Sequence, residues 1–163
     1  MHKFVLAIAT MAHLIPHPFG VSSVGATALY AGAHGGRFFW ATPLIPLTAG
    51  AILLGFYDPL VMAFVFGGFM LSTLAGRWLL RRRRSYGRYA AAIATGAVIF
   101  YVVSNFAIWL VGYYPPTAAG LAQCYLNGLP FLGQAMVADA AYCFVLFGLH
   151  KHLEQREAAP VTA

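Results

Sequence analysis

Asp139 is the residue of this chain with the most chemical leverage. It lies in the middle of the apolar run from Leu129 to Leu149, where an ionised carboxylate costs at least ~2.5–3.5 kcal/mol even on lenient membrane-insertion scales. At helical spacing it shares a face with Ala135, Met136, Tyr142 and Cys143. Its counterpart in the preceding apolar run is Asn105. Tyr101, Asn105 and Trp109 recur every four residues and make one polar-aromatic stripe, with Gly112 above it. Rings offer stacking area and an amide fixes orientation, so the stripe suits a small molecule that is flat and partly polar. Two roles stay open for Asp139 and Asn105. They contact a ligand or proton, or they are interhelical hydrogen bonds, worth about 0.6 kcal/mol each in membranes.

His13 and His17 flank Pro16 at a spacing of four. Two imidazoles could hold a transition metal, but the proline breaks the helical register and no Cys or carboxylate follows nearby. The better reading is two interfacial histidines without a metal, and His13 with His17 stand as the metal alternative. The chain contains no nucleotide-binding loop, no HExxH and no GxSxG, and Asp58 has no local acidic partner. Nothing points to an enzyme or to a bound cofactor. Cys124 and Cys143 are too few for a disulfide framework and lack CxxC spacing.

These residues must be positioned by membrane helices. The 163 residues are 61% hydrophobic and only 9% charged, against about a quarter charged in soluble domains, and mean hydropathy is +0.73. One transmembrane domain over 1–150 is expected, followed by a charged tail over 151–163. The apolar runs suggest an all-α bundle of six spans, about 4–15, 21–33, 38–57, 60–80, 89–113 and 129–149. The first two are short and joined by the Pro- and Gly-containing stretch HPFGVSS, which implies a cavity open to the outside, since irregular backbone at that depth must face protein or water. Pro43 and Pro46 kink the third span. The stretch YYPPTAAGLAQCYLNG reads as an outer loop of about fifteen residues.

Threaded this way, all ten Lys and Arg fall on one side: Lys3, Arg37, Arg77, Arg81 to Arg84, Arg88, Lys151 and Arg156. The positive-inside rule then puts both termini in the cytoplasm of a multi-pass bacterial inner-membrane protein. The formal charge of +6 reflects arginines facing anionic lipid rather than nucleic acid. The opening MHKFVLAIATMA has the look of a signal peptide, but no convincing A-x-A site follows, so it reads as a retained first span.

The stretches HPFGVSSVGATALYAGA, SNFAIWLVGYYPPTAAGLAQCY and GLPFLGQAMVADAAYCFVLFG resemble an uncharacterised bacterial multi-span membrane family, from about residue 10 to 150. Its members look like S-components of energy-coupling factor vitamin transporters, by size, six spans and general layout. That resemblance implies capture of a vitamin or cofactor-precursor molecule from the outer face. It also implies partner transmembrane and ATP-binding subunits, contacted through small-residue faces such as Ala28 and Gly32. Asn105, Trp109, Cys124, Tyr125 and Asp139 match the family pattern. Gly50 and Ala51 replace a Ser-Asp pair expected in the third span, and Gln134 replaces an Asn expected after LPF. With Tyr101 and Tyr142, the residues Asn105, Trp109, Asp139, Gln134 and Tyr125 form the expected substrate contacts. The alternative is a structural or assembly subunit of a larger membrane complex, and a third reading is a transition-metal uptake component.

Overall fold

The computed structural model describes residues 2–14 and 22–158. Within them the chain is all-α, with six helices: α1 His2–Leu14, α2 Val24–His34, α3 Leu44–Leu54, α4 Pro59–Leu80, α5 Tyr86–Leu110 and α6 Ala118–Ala158. Three of these, α4, α5 and α6, are long and apolar enough to cross a membrane by length and composition. The other three have 13, 11 and 11 residues, about 16–20 Å at 1.5 Å per residue. The bundle combines three long helices with three half-length ones, of which α2 is the buried one.

Local chemistry sets the ends of the long helices. Asp58 caps α4 by accepting from the backbone amides of Leu60 at 2.8 Å and Val61 at 3.1 Å, with Pro59 in the first turn, where its missing N–H costs nothing. At the other end of α4 the Arg88 guanidinium donates to the Leu79 carbonyl at 2.8 Å, covering an acceptor the helix leaves unpaired. Ser85 caps α5 through the Arg88 amide. Gly55 and Gly112 end α3 and α5 with φ of 103° and 90°, values that side chains with a Cβ rarely adopt.

Two expected spans change shape. The third, expected over 38–57, breaks into a 3-10 turn at Phe39–Ala41 and the short α3. Pro43 sits at the N-cap of α3 and Pro46 in its first turn, so the prolines start a helix instead of kinking one. The last span begins at Ala118, not Leu129, and runs 41 residues with Pro130 inside it. Most of the expected fifteen-residue outer loop is therefore helix, and the connection from α5 is only 111–117. Thr117 starts α6 by accepting from the Gly120 amide at 3.1 Å. The expected joint between α1 and α2, including Pro16, His17 and Pro18, lies outside the described residues.

Helix α2 is the hub of the packing. Nine of its eleven residues are buried, against α4 above all and then α6. Only small residues permit this. A Cβ on Gly32 would fall on the Thr73 carbonyl oxygen, and one on Gly76 would meet the Leu29 backbone at 2.8 Å. Ala28 is fully buried too. Ala28 and Gly32 were expected to meet a partner subunit, yet they face this chain's own α4. An Ala- and Gly-rich surface lets two backbones approach whether the second helix is intramolecular or foreign, so composition could not tell the two apart.

The contacts give the bundle two unlike ends. Arg77 lies over Phe39, its guanidinium carbon 4.0 Å from the ring centroid, and Tyr30 of α2 reaches His150 of α6. Arg84 and Glu154 both lie within electrostatic range of Tyr30. The C-terminal parts of α2, α4 and α6 and the start of α5 thus share one end, and the arginines gather there. The sides of the long helices carry large exposed apolar residues, among them Phe144 at 83% and Val137 at 72%.

The α2–α4 contact predicts opposite results for two helical glycines. Gly32→Val should lower stability by about 3 kcal/mol or at least cost most of the folded yield, because the added atoms meet backbone that cannot yield. Gly67→Ala, where a Cβ meets open space, should be neutral or stabilising by up to about 1 kcal/mol. Thermal unfolding in detergent micelles checks both, and a wild-type midpoint for Gly32→Val would refute the packing.

Candidate functional site

The carboxyl of Asp139 lies at the first turn of α2. Its oxygens press on Gly25, where a Cβ would collide with them, and the Ala26 backbone N–H lies close enough to favour the charged carboxylate. Helix N-termini leave amide donors unpaired and carry partial positive charge. Ser23, the N-cap residue, gives no side-chain cap, because its hydroxyl donates to the Ala9 carbonyl at 2.9 Å. The Ser22 hydroxyl accepts from the first α2 amide, Val24 N–H, at 3.2 Å, and Asp139 of α6 lies against the amides that follow. Pairing with Asn105, or a ligand held by both, is the sequence expectation for Asp139; its carboxyl instead lies against the first turn of α2. The sequence carries no signal for a cap contributed from more than a hundred residues away.

Asp139 also lines a cavity of about 240 Å³. Every helix contributes to its wall: His13 from α1, Gly25 from α2, Leu47 from α3, Phe69 and Ser72 from α4, Phe100 from α5 and Ala135 from α6. Ser22 also lines it, with its hydroxyl 3.2 Å from Nδ1 of His13. Nε2 of His13 lies 3.0 Å from where a Gly50 Cβ would stand, so the glycine that replaces an expected polar residue makes room for the imidazole. Phe69 and Phe100 stack at 4.3 Å between centroids. Ser72 ties α4 to α5, its hydroxyl 3.0 Å from the carbonyls of both Gly68 and Gly96.

A second cavity, of about 400 Å³, continues toward the α5–α6 turn between those two helices, sharing Ala97, Phe100 and Ala135 with the first. Tyr101 and Asn105 line it, with Cys124, Asn127 and Gly128 opposite. Their polar atoms are largely engaged. The Tyr101 hydroxyl donates to the Tyr125 carbonyl at 2.6 Å and the Tyr125 hydroxyl to the Val102 carbonyl at 2.8 Å, a reciprocal clamp between α5 and α6. The Asn105 amide donates to the Tyr101 carbonyl at 2.8 Å, and the Cys124 thiol lies 3.3 Å from the Asn105 carbonyl.

The expected contact residues thus separate. Tyr101 and Asn105 line the second cavity and Asp139 the first, with the Phe100 wall in common. Tyr125 clamps the helices from beside them. Trp109 departs from the stripe: its indole N–H donates to the Pro115 carbonyl at 3.0 Å and secures the α5–α6 turn. Tyr142 packs against the core around Tyr30, and Gln134 is exposed. His17 is outside the described residues, and among those described no group of three or more His, Cys, Asp or Glu is placed to hold a metal.

A polar chain absent from the sequence expectations runs between α2 and α6. The buried Tyr30 hydroxyl is 2.6 Å from Nδ1 of His150, and Nε2 of His150 is 2.9 Å from a carboxylate oxygen of Glu154. One tautomer satisfies both contacts: Nε2–H donates to Glu154 while Nδ1 accepts from the phenol. The His34 ring lies 3.9 Å from that of His150. Helix α6 continues through residues expected to be a charged tail, and that continuation puts Glu154 one turn beyond His150.

Two substitutions probe these contacts. Asp139→Leu should cost about 1–3 kcal/mol by leaving the α2 amides unpaired, whereas Asp139→Asn keeps an acceptor oxygen and should retain most of the stability. Equal midpoints for both variants in a thermal melt would mean that the carboxyl does not cap α2. Tyr30→Phe should cost a similar ~1–3 kcal/mol by stranding Nδ1 of His150. The companion variant Glu154→Gln, on a half-exposed partner, should cost less than about 1 kcal/mol. The same melts read both, and a wild-type midpoint for Tyr30→Phe would remove the chain.

Neither the curated proteins nor the solved structures contain a match to the chain, and the finer likeness to vitamin-transporter S-components is carried by none of these comparisons. Residues 1–161 match a family described as a family of unknown function, DUF6580. With nearly its whole length matched, the chain belongs to that family.

Proposed function

We propose that the protein is a membrane-embedded binding protein for a small molecule, of the kind that captures a vitamin or cofactor precursor for uptake. One observation carries the reading: the Asp139 cavity has a wall residue from each of the six helices. Bundles that serve only as scaffolds gain from filling such a space, since each unfilled methyl-sized void costs on the order of 1 kcal/mol. With its neighbour of about 400 Å³, it lies in the range of small-molecule sites, roughly 300–1,000 Å³. The exposed apolar flanks of α4, α5 and α6 support a bilayer around the bundle, and the gathered arginines support a cytoplasmic placement of their end. The second cavity lies toward the opposite end, which favours entry from outside.

The lining supports a ligand with a flat apolar body and a polar edge. Phe69 and Phe100 offer stacking surface, and Asp139, His13 and Ser22 offer hydrogen bonds at one end. A group that donates to Asp139 fits best, because a carboxylate is acceptor-only and has about four lone-pair sites to offer. Transport through partner transmembrane and ATP-binding subunits is part of the proposal and rests on the sequence resemblance alone. The alternative, a structural subunit of a larger complex, draws on the capping role of Asp139.

Ala135→Phe tests the reading, since it fills the wall common to both cavities from a half-buried position. Small molecules released from purified protein should be depleted at least about tenfold, or 1.4 kcal/mol, with the unfolding midpoint kept. Asp139→Asn should deplete them as well. An unchanged small-molecule complement in both folded variants would overturn the proposal. Co-purifying membrane subunits without any such molecule would favour the structural alternative.

A further inference from the structure

The arginine-rich end of α4 carries a groove of about 610 Å³ lined by Arg77, Arg81, Arg82, Arg83 and Arg88, together with Leu74 and Trp78. Five guanidinium groups converge there, and none of the chain's four carboxylates lines it. Among the described residues, none of the five has an ion-pair partner within 4.0 Å; the one such contact joins His150 and Glu154. Arg77 is held over Phe39 and keeps a buried Nη1 without an acceptor. Leaving so many like charges together is unfavourable unless an anion or solvent screens them.

The surface leading into the groove says which anion. Leu71, Leu74 and Trp78 follow one another at spacings of three and four, so they share one face of α4, and they are exposed at 46%, 48% and 82%. From Leu71 to the end of α4 at Leu80 is about 14 Å at 1.5 Å per residue, close to half the hydrocarbon thickness of a bilayer. Trp78 stands where it meets the charges, the usual level of an interfacial indole. A hydrocarbon strip ending in a cationic groove matches an amphiphile with a phosphate head, and a free phosphate would leave the strip without a partner.

We propose that this groove is a binding site for an anionic glycerophospholipid, its phosphate held by the arginines and its acyl chains lying along Leu71, Leu74 and Trp78. Guanidinium forks bind phosphate oxygens in pairs, so the site selects anionic over zwitterionic headgroups, whose own ammonium would meet the arginines. The proposal shares the bilayer placement with the function proposed above but needs nothing in the two cavities.

Native mass spectrometry of the full chain, released from detergent after titration with phosphatidylglycerol or phosphatidylcholine, provides the test. Wild-type protein should retain phosphatidylglycerol in preference. Replacing Arg81, Arg82 and Arg83 by Gln together should weaken that retention by about a hundredfold, at roughly fivefold per arginine near a charged surface. These side chains are exposed, so the variant should fold, and an unchanged thermal midpoint verifies it. Trp78→Ala should weaken lipid retention while leaving inorganic phosphate without effect as a competitor. Equal retention of the two lipids, or wild-type retention by the folded triple variant, would overturn the site. Displacement of the lipid by inorganic phosphate, with Trp78→Ala indifferent, would assign the groove to free phosphate. Failure of the protein to float with vesicles would instead strike the bilayer placement itself.

Discussion

The fold depends on how an apolar bundle can accommodate the open end of a short helix in its middle. Helix α2 is half the length of α4 and is buried along nearly its whole course, so its first amides need acceptors from the protein; Ser22 supplies one to Val24. Unpaired amides in such surroundings cost several kcal/mol each. Asp139 answers that need from the middle of α6, and the acid is tolerated there because the end of α2 is electropositive. The two features suit each other: the buried acid lies beside the start of a half-helix, and the electropositive helix start favours an acid there.

The same arrangement creates the candidate site. Where α2 begins, its first turn and side chains of the other five helices enclose the Asp139 cavity, with Ser22 and His13 among its wall residues. Glycines decide how closely the walls approach. Gly32 and Gly76 bring α2 and α4 into backbone contact, Gly25 admits the Asp139 carboxyl, and Gly50 admits His13. Cap and ligand contact are compatible roles for Asp139, since one oxygen can face the amide while the other faces the cavity.

Along α6 the chemistry changes with depth. Near its start, reciprocal tyrosine contacts and Asn105 hold it to α5. At the centre it offers a carboxyl to α2, and near its end His150 links the buried phenol of Tyr30 to the half-exposed Glu154. The arginine end therefore has a hydrogen-bonded route into the core on the α2–α6 side and a cationic groove on the α4 face. Both lie away from the second cavity, so opposite ends of the bundle are built for different surroundings.

Much was legible in the sequence because it follows from one-dimensional quantities. Apolar run length located α4 and α5 to within a few residues. Asp139 stood out because a mid-span acid is costly wherever the chain goes. Other properties depended on distance in three dimensions. The last apolar run suggests a span over 129–149, whereas α6 starts at Ala118, carries Pro130 inside it and packs against α5. Ala28 and Gly32 fit an internal or an external neighbour equally well until α4 occupied the position. Periodicity aligned Tyr101, Asn105 and Trp109 on one face, but the α5–α6 turn brought Pro115 within reach of Trp109 and drew that ring away. The amide partner of Asp139, the Tyr30–His150–Glu154 chain and the cavity common to six helices join residues far apart in sequence, and only the tertiary structure decided those.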